Sequence, residues 1–279
     1  MSGQASPRPV ALTGIKPTGT PHIGNYLGAI RPALGLTQTF EARYFIADVH
    51  ALNTVRNAEE LRKHTLEVAA TWLACGLDPE QVLFYRQSDV PQIFELTNFL
   101  MAFTAKGLMN RAHAYKDAVQ TNIEKERDPD FAVNMGLYTY PVLMAADILL
   151  FDTQWVPVGK DQKQHIEMAA DIAQCFNHNY NGDWLVIPQP LIGEENQTIV
   201  GLDGRKMSKS YDNTIPLFLP PKKLRKTVMR IVTNSQGIEE SKDPDKCSVF
   251  ALYRLFATLE EQNALARRYR EGGMGWGEA

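Results

Sequence analysis

Three small sets of residues in this chain have types and spacings that could do chemistry. Lys206 and Lys209 lie three apart in GRKMSKSYDN, next to Gly204. They are two ammonium groups on flexible stems, suited to a loop that closes over an anion as charge builds during group transfer. His22 and Asn25, also three apart, lie in LTGIKPTGTPHIGNYLG. They share one face of a first helical turn, and both can donate hydrogen bonds. Gly24 between them removes a side chain where a flat ring could rest on backbone. The third set is Tyr140, Met144, Asp147 and Phe151, spaced 4, 3 and 4 apart on one helix face. Asp147 interrupts an apolar run, where an ionised carboxylate must find a donor or a cation. That donor could belong to the protein, or to an aromatic ligand carrying one N–H or O–H.

The residues around His22 read as a strand (Val10–Thr13), a turn broken by Gly14, Pro17 and Gly19, and a helix with Thr20 as N-cap and Pro21 in its first position. Such a strand–turn–helix directs backbone N–H groups and the positive helix end at an anion, commonly phosphate. On these residues alone a plain turn remains open. The spacing does not fit the dinucleotide fingerprint, and no Gly-Lys-Ser/Thr of a P-loop is present.

PHIGN and KMSKS together resemble the HIGH and KMSKS signatures of class I aminoacyl-tRNA synthetases, in the right order. Asn25 stands where the last His of HIGH usually lies, as is common in the tryptophanyl and tyrosyl branch. YPVLMAADIL (Tyr140–Leu149) is similar to the tryptophanyl version of that helix; the tyrosyl version usually has Gln at the position of Met144. VPVGKDQKQH (Val156–His165) resembles the family's GxDQ segment. The resemblance covers Val10 to about Trp276.

By this resemblance, His22, Asn25, Lys206 and Lys209 would be catalytic. Lys16, Thr18, Gly24, Asn25, Gly159, Asp161, Val200, Lys206, Met207, Ser208 and Lys209 would hold ATP, with Gly159 and Asp161 at the ribose. Tryptophan would meet Leu12, Gly14, His50, Tyr140, Met144, Asp147, Val156, Val158 and Gln162. Of these, Asp147 would take the indole N–H, Met144 the indole face, and Tyr140 with Gln162 the ammonium and carboxylate. Mg²⁺ would be bound through the ATP phosphates, with no metal site on the protein itself. The reaction would be activation of L-tryptophan to its adenylate, then transfer to tRNA(Trp), in a homodimer. Two departures stand out: Leu12 where relatives often have Phe, and Lys16 in place of a frequent Gln. Two other readings stay open, a tyrosine-specific synthetase and a shortened synthetase-like module that binds tryptophan or ATP.

The elements that must position these residues are readable from pattern. Arg43–Ala47 and Val82–Tyr85 read as further buried strands. Between them Asn57 caps a helix, with Glu60 three residues on, that turns Leu61, Val68, Ala69, Trp72 and Leu73 to a core and stops at Gly76. Alternating strands and helices predict an α/β fold with a Rossmann-like parallel sheet. Gln92–Lys106 and Met109–Ala118 read as helices, Gln120–Phe131 as a polar surface segment, and Pro141 as the start of the Asp147 helix. Leu252, Leu255, Phe256 and Leu259 form a helical stripe. The expected division is a polar, disordered N-terminus (1–9) and a catalytic domain (10–215) with a helical insertion at about 86–140 and the KMSKS loop at 204–213. The remainder (216–279) is a C-terminal helical domain, resembling the first part of an anticodon-binding domain that in relatives continues further. Its basic clusters, Lys222, Lys223, Arg225, Lys226 and Arg230, then Arg267, Arg268 and Arg270, read either as tRNA phosphate contacts or as solvated faces.

Composition bounds the rest. The 279 residues are 44% hydrophobic and 22% charged with a net charge of −3, so no global basic character signals nucleic acid. Cys75, Cys175 and Cys247 form no C-x-x-C pair and no disulfide framework. The most apolar run, Val142–Phe151, is too short to span a bilayer. A cytoplasmic enzyme without membrane partners is the expectation.

Overall fold

The computed structural model describes residues 8–192 and 199–278. The expectation of disorder at 1–9 falls mostly outside these residues. The chain divides into two compact units, Met1–Thr18 with Ala33–Glu195, and Gly19–Pro32 with Asn196–Ala279.

The first unit carries a five-stranded parallel sheet. Its strands are β1 (Val10–Ile15), β2 (Glu41–Ile46), β3 (Leu83–Arg86), β4 (Trp155–Pro157) and β5 (Gln189–Leu191), in the order β3-β2-β1-β4-β5. β1 and β2 pair in register from Val10 with Glu41 to Ile15 with Ile46. The turns after β2, β3 and β4 therefore open on the sheet's carboxyl edge, where α/β folds place ligands. They carry Asp48–His50, Gln87 and Val158–Gly159.

Five helices of this unit are α1 (Ala58–Ala74), α2 (Gln92–Met101), α3 (His113–Glu124), α4 (Met135–Leu149) and α5 (Lys163–Asn179). The main core joins Leu12 and Phe45 of the sheet to Ile93 and Leu100 of α2, Ala145, Ile148 and Leu149 of α4, and Ile166 and Ile172 of α5. Asn57 caps α1, accepting from the N–H groups of Glu59 and Glu60. Val68 and Trp72 are buried, and Trp72 stacks on Tyr44 at 5.0 Å. Leu73, expected in the core, is exposed, because one residue past Trp72 the helix has turned about 100° away.

Two further expectations are corrected. The Asp147 helix does not begin at Pro141. It begins at Met135, capped by Asn134, whose side chain accepts from Leu137 N–H, and Pro141 lies inside it. Gln120–Phe131 is not all surface loop. α3 runs to Glu124, and the buried Asn122 donates to Pro129 O at 3.0 Å and Phe131 O at 2.8 Å, which ties the following turn down.

In the second unit, residues 199–207 fold back on themselves about Asp203-Gly204. Gly201 N–H donates to Arg205 O and Met207 N–H to Ile199 O, both at 2.7 Å. His22 bridges antiparallel to Pro216. Leu202, Met207, Ile215 and Leu252 form one small core, and Cys247, Phe250, Ala266, Tyr269 and Met274 another. α6 (Pro221–Val228) and α7 (Leu259–Glu271) are its longer helices. The Leu252–Leu259 stripe is broken: Leu252 is buried, but Phe256 and Leu259 are exposed. Thr258 and Glu261 explain the break, since they form a reciprocal capping box that starts α7 afresh. The arginines and lysines of both basic clusters are exposed.

Candidate active site

In the second unit the helical turn begins two residues later than expected. Its N-cap is His22 rather than Thr20, and the helix runs Ile23–Asn25 before a π turn at Tyr26–Ile30. Asn25 Oδ1 accepts from His22 N–H at 3.0 Å, which ties the two motif residues to each other. The His22 ring is buried, and its Nδ1 has no hydrogen-bond partner among the described residues. Gly24 leaves the space this ring needs: a Cβ there would lie 2.9 Å from His22 Nδ1 and 3.4 Å from Met207 Sδ. The room was expected for a ligand's flat ring; here it admits the imidazole.

The KMSKS residues lie in the same unit. Lys209 donates from Nζ to Gly19 O at 2.8 Å, and the positive φ of Gly19 suits glycine. Burial, and then the Lys209 charge, lower the His22 pKa to about 4, so the imidazole is neutral at pH 7. Lys206 is exposed, while Val200, which bridges to Lys206, is half-buried and Met207 is buried in the small core. Ser208 Oγ accepts from Ser210 N–H at 3.4 Å, starting the turn that holds Lys209.

Asn213 fixes this loop and was missed in the sequence. Buried, it accepts from Ser208 N–H at 2.8 Å and donates to Asp203 Oδ1 at 2.7 Å and to Lys206 O at 3.1 Å. It closes the quoted stretch GRKMSKSYDN, but no residue pattern marked it out from a surface asparagine.

The first unit gathers a second set. Asp147 is fully buried and has protein partners: Gln87 Nε2 at 2.9 and 3.0 Å and His50 Nε2 at 2.9 Å. Burial raises the Asp147 pKa, and hydrogen bonds from His50 and Gln87 oppose that shift. His50 meets the Tyr140 ring edge-on, with centroids 6.4 Å apart. The Tyr140 hydroxyl donates to His165 Nε2 at 2.5 Å, and His165 Nδ1 donates to Gln162 Oε1 at 2.9 Å. A polar chain thus runs Gln87–Asp147–His50, meets the ring of Tyr140, and continues through His165 to Gln162. Gln87 and His165 are the residues that sequence reasoning passed over. Gln87 follows a strand at the carboxyl edge, and His165 stands three residues after Gln162, so only position hinted at either.

The remaining expected residues fall as follows. Met144 and Val158 are half-buried against the main core, and Leu12 and Val156 lie within it. Gly14 backs onto the Phe45 ring, where a Cβ would come within 2.5 Å. Lys16 is exposed and Thr18 half-buried in the turn after β1. Gly159 caps a short 3-10 turn, Lys160–Gln162; the side chain of Asp161 lies outside the described residues. Among the described residues no group of His, Cys, Asp or Glu forms a metal cage, and no helix is long and apolar enough to cross a membrane.

The family model for class I tRNA synthetases (W and Y) matches residues 4–279. This chain belongs to that family. Among class I relatives, the tryptophan–tRNA ligases of Pseudomonas aeruginosa and Bordetella pertussis are 55% and 56% identical over 96% of this chain. The chain spans 60% of the length of each. A tryptophanyl-tRNA synthetase from Campylobacter jejuni, crystallised with ADP and tryptophan, superposes with a TM-score of 0.87 at 43% identity, covering 96% of this chain and 82% of that one. A tyrosyl-tRNA synthetase from Archaeoglobus fulgidus shares the fold with a TM-score of 0.61 at 19% identity, covering 97% of this chain and 83% of that one. The parallel sheet described above is thus the Rossmann-like sheet of class I synthetases.

Proposed function

We propose that this chain activates L-tryptophan with ATP and passes the tryptophanyl group to tRNA(Trp). The observation that carries the reading is the meeting of the two signatures in one unit, with Lys209 on the Gly19 carbonyl beside a buried, neutral His22. The tryptophan–tRNA ligase relatives support tryptophan over tyrosine, as does Met144 where the tyrosyl branch usually has Gln.

The tryptophan carboxylate attacks the α-phosphate of ATP, giving tryptophanyl-adenylate and pyrophosphate; a terminal ribose hydroxyl of the tRNA then attacks the acyl carbon, losing its proton as the acyl–phosphate bond breaks and AMP leaves. No residue becomes covalent. Lys206 and Lys209 stabilise charge on the departing pyrophosphate, and His22, uncharged, serves as a hydrogen-bonding group. The further ATP residues of this reading are Asn25, Gly24, Met207, Ser208 and Val200 in the second unit, and Lys16, Thr18, Gly159 and Asp161 in the first. In the first unit Asp147 accepts the indole N–H, Met144 lies on the ring face, and Tyr140 and Gln162 hold the amino and carboxyl groups. His50, Leu12, Gly14, Val156 and Val158 complete the tryptophan site. Phenylalanine has no N–H to offer Asp147 and forgoes the hydrogen bond that the indole makes there, while Gln87 and His50 remain on the carboxylate.

The groups at the His22–Lys209 cluster are N–H donors and ammonium, which suit phosphate oxygens rather than a cation. Mg²⁺ therefore fits as an ion carried on the ATP phosphates, where it would supply charge neutralisation. The division into catalytic (10–215) and anticodon-binding (216 onward) domains, dimerisation through the 86–140 helices and a cytoplasmic location belong to the same reading. Mass-spectrometric detection of adenylate after mixing the chain with ATP, Mg²⁺ and tryptophan tests it. A binding module would retain both ligands and form none.

A further inference from the structure

Gln87 is fully buried at the carboxyl end of β3, and both ends of its amide are used. Oε1 accepts from the backbone N–H groups of Val49 and His50, at 3.2 and 3.3 Å. Nε2 donates to both oxygens of Asp147. The ends are not interchangeable: turned over, the amide would aim Nε2 at two N–H donors and Oε1 at a carboxylate. A second lacing holds the same two turns together. Asp48 accepts from Ser88 N–H at 3.0 Å and from Ser88 Oγ at 2.6 Å. The backbone therefore decides which end of Gln87 faces Asp147, and that end only donates. His50, the other partner, can donate or accept at Nε2 according to tautomer, so it imposes no polarity.

We propose that Gln87 is a positioning residue that holds Asp147 as a hydrogen-bond acceptor and so selects an amino acid whose aromatic side chain carries an N–H. The inference rests on the tryptophan reading above and adds how its selectivity is set. Burial by itself favours the protonated carboxyl, which would present an O–H donor and mismatch an indole N–H. The groups whose charge bears on Asp147 are His50 and Asp48 from the turn after β2, and Tyr85 on β3, whose own hydroxyl pKa is raised by burial and by Asp147. Gln87 contributes a fixed donor among them, independent of pH.

The test is calorimetric tryptophan binding to the full 279-residue chain and to Gln87→Met and Gln87→Glu, from pH 5.5 to 8.5, with thermal unfolding in parallel. Gln87→Met removes the donor. It should weaken tryptophan about 10–100-fold, in line with a lost hydrogen bond to a charged group, with the larger loss at the acid end, because the buried carboxyl has lost a donor that favours its charged form. In Gln87→Glu a protonated carboxyl can mimic the amide, its carbonyl accepting from Val49 and His50 and its O–H donating to Asp147. Once that proton leaves, two carboxylates face each other. Its affinity should approach that of the unsubstituted chain at low pH and fall as pH rises. Opposite trends in two variants cannot come from a general loss of folding. Unchanged affinity in Gln87→Met, or equal and pH-independent losses in both, overturns the proposal. If the unsubstituted chain binds no tryptophan, this proposal and the functional reading fall together. If it binds and the variants do not diverge, this proposal alone falls.

Discussion

His22 is uncharged at neutral pH because it is buried beside an ammonium group, and this has a cost in acid. Its folded pKa of about 4 lies below the ordinary 6.5. Between these values the unfolded chain binds the proton and the folded chain does not, so this residue's contribution makes stability fall as pH drops from 6.5 toward 4. Urea unfolding of His22→Gln and the unsubstituted chain across that window should show a shallower loss for the variant; parallel curves would refute the burial account. Lys209 has the complementary role. Its Nζ donates to Gly19 O, and on the proposed reading it meets charge that develops during transfer. Lys209→Ala should therefore lower the activation kcat by roughly 10²–10³ while leaving tryptophan affinity nearly unchanged. A large loss of tryptophan affinity with normal kcat would contradict that role.

At the scale of elements, the KMSKS loop is as well defined as its Asn213 clasp. Asn213→Ala removes the partners of Ser208 N–H and Lys206 O together, and should cost about 1–3 kcal/mol of stability. By misplacing Lys206 and Lys209 it should also lower the activation kcat about 10–100-fold. Stopped-flow activation with denaturant unfolding checks both; a normal kcat would show that the loop is ordered by other contacts. The elements were legible where local chemistry is explicit. Asn57 announces α1, the alternation of strands and helices announces a parallel sheet, and Thr258-x-x-Glu261 carries the start of α7 in plain sight. The misreadings arose where a signal had two meanings. Proline at 141 suits a first helical turn but is tolerated inside α4, whose cap at Asn134 lies further upstream. Thr20-Pro21 looks like a helix start, yet the chain stays extended through His22 to bridge Pro216, a partner nearly 200 residues away.

For the whole molecule, motif residues were legible because their chemistry restricts residue type. The residues that orient them were not. Gln87, His165 and Asn213 act through contacts with partners that the fold brings near, and a buried glutamine or asparagine has the same letter as a solvated one. The sequence placed Asp147 among apolar neighbours but left open whether its partner was protein or ligand; the structure supplies Gln87 and His50 as protein partners. The central claim is that these parts together activate tryptophan. The most direct measurement is ATP–pyrophosphate exchange by the 279-residue chain with tryptophan, tyrosine and phenylalanine compared at matched concentrations. The account predicts exchange with tryptophan and none above background with the other two. Exchange with tyrosine in preference, or none with any despite bound tryptophan, would contradict it.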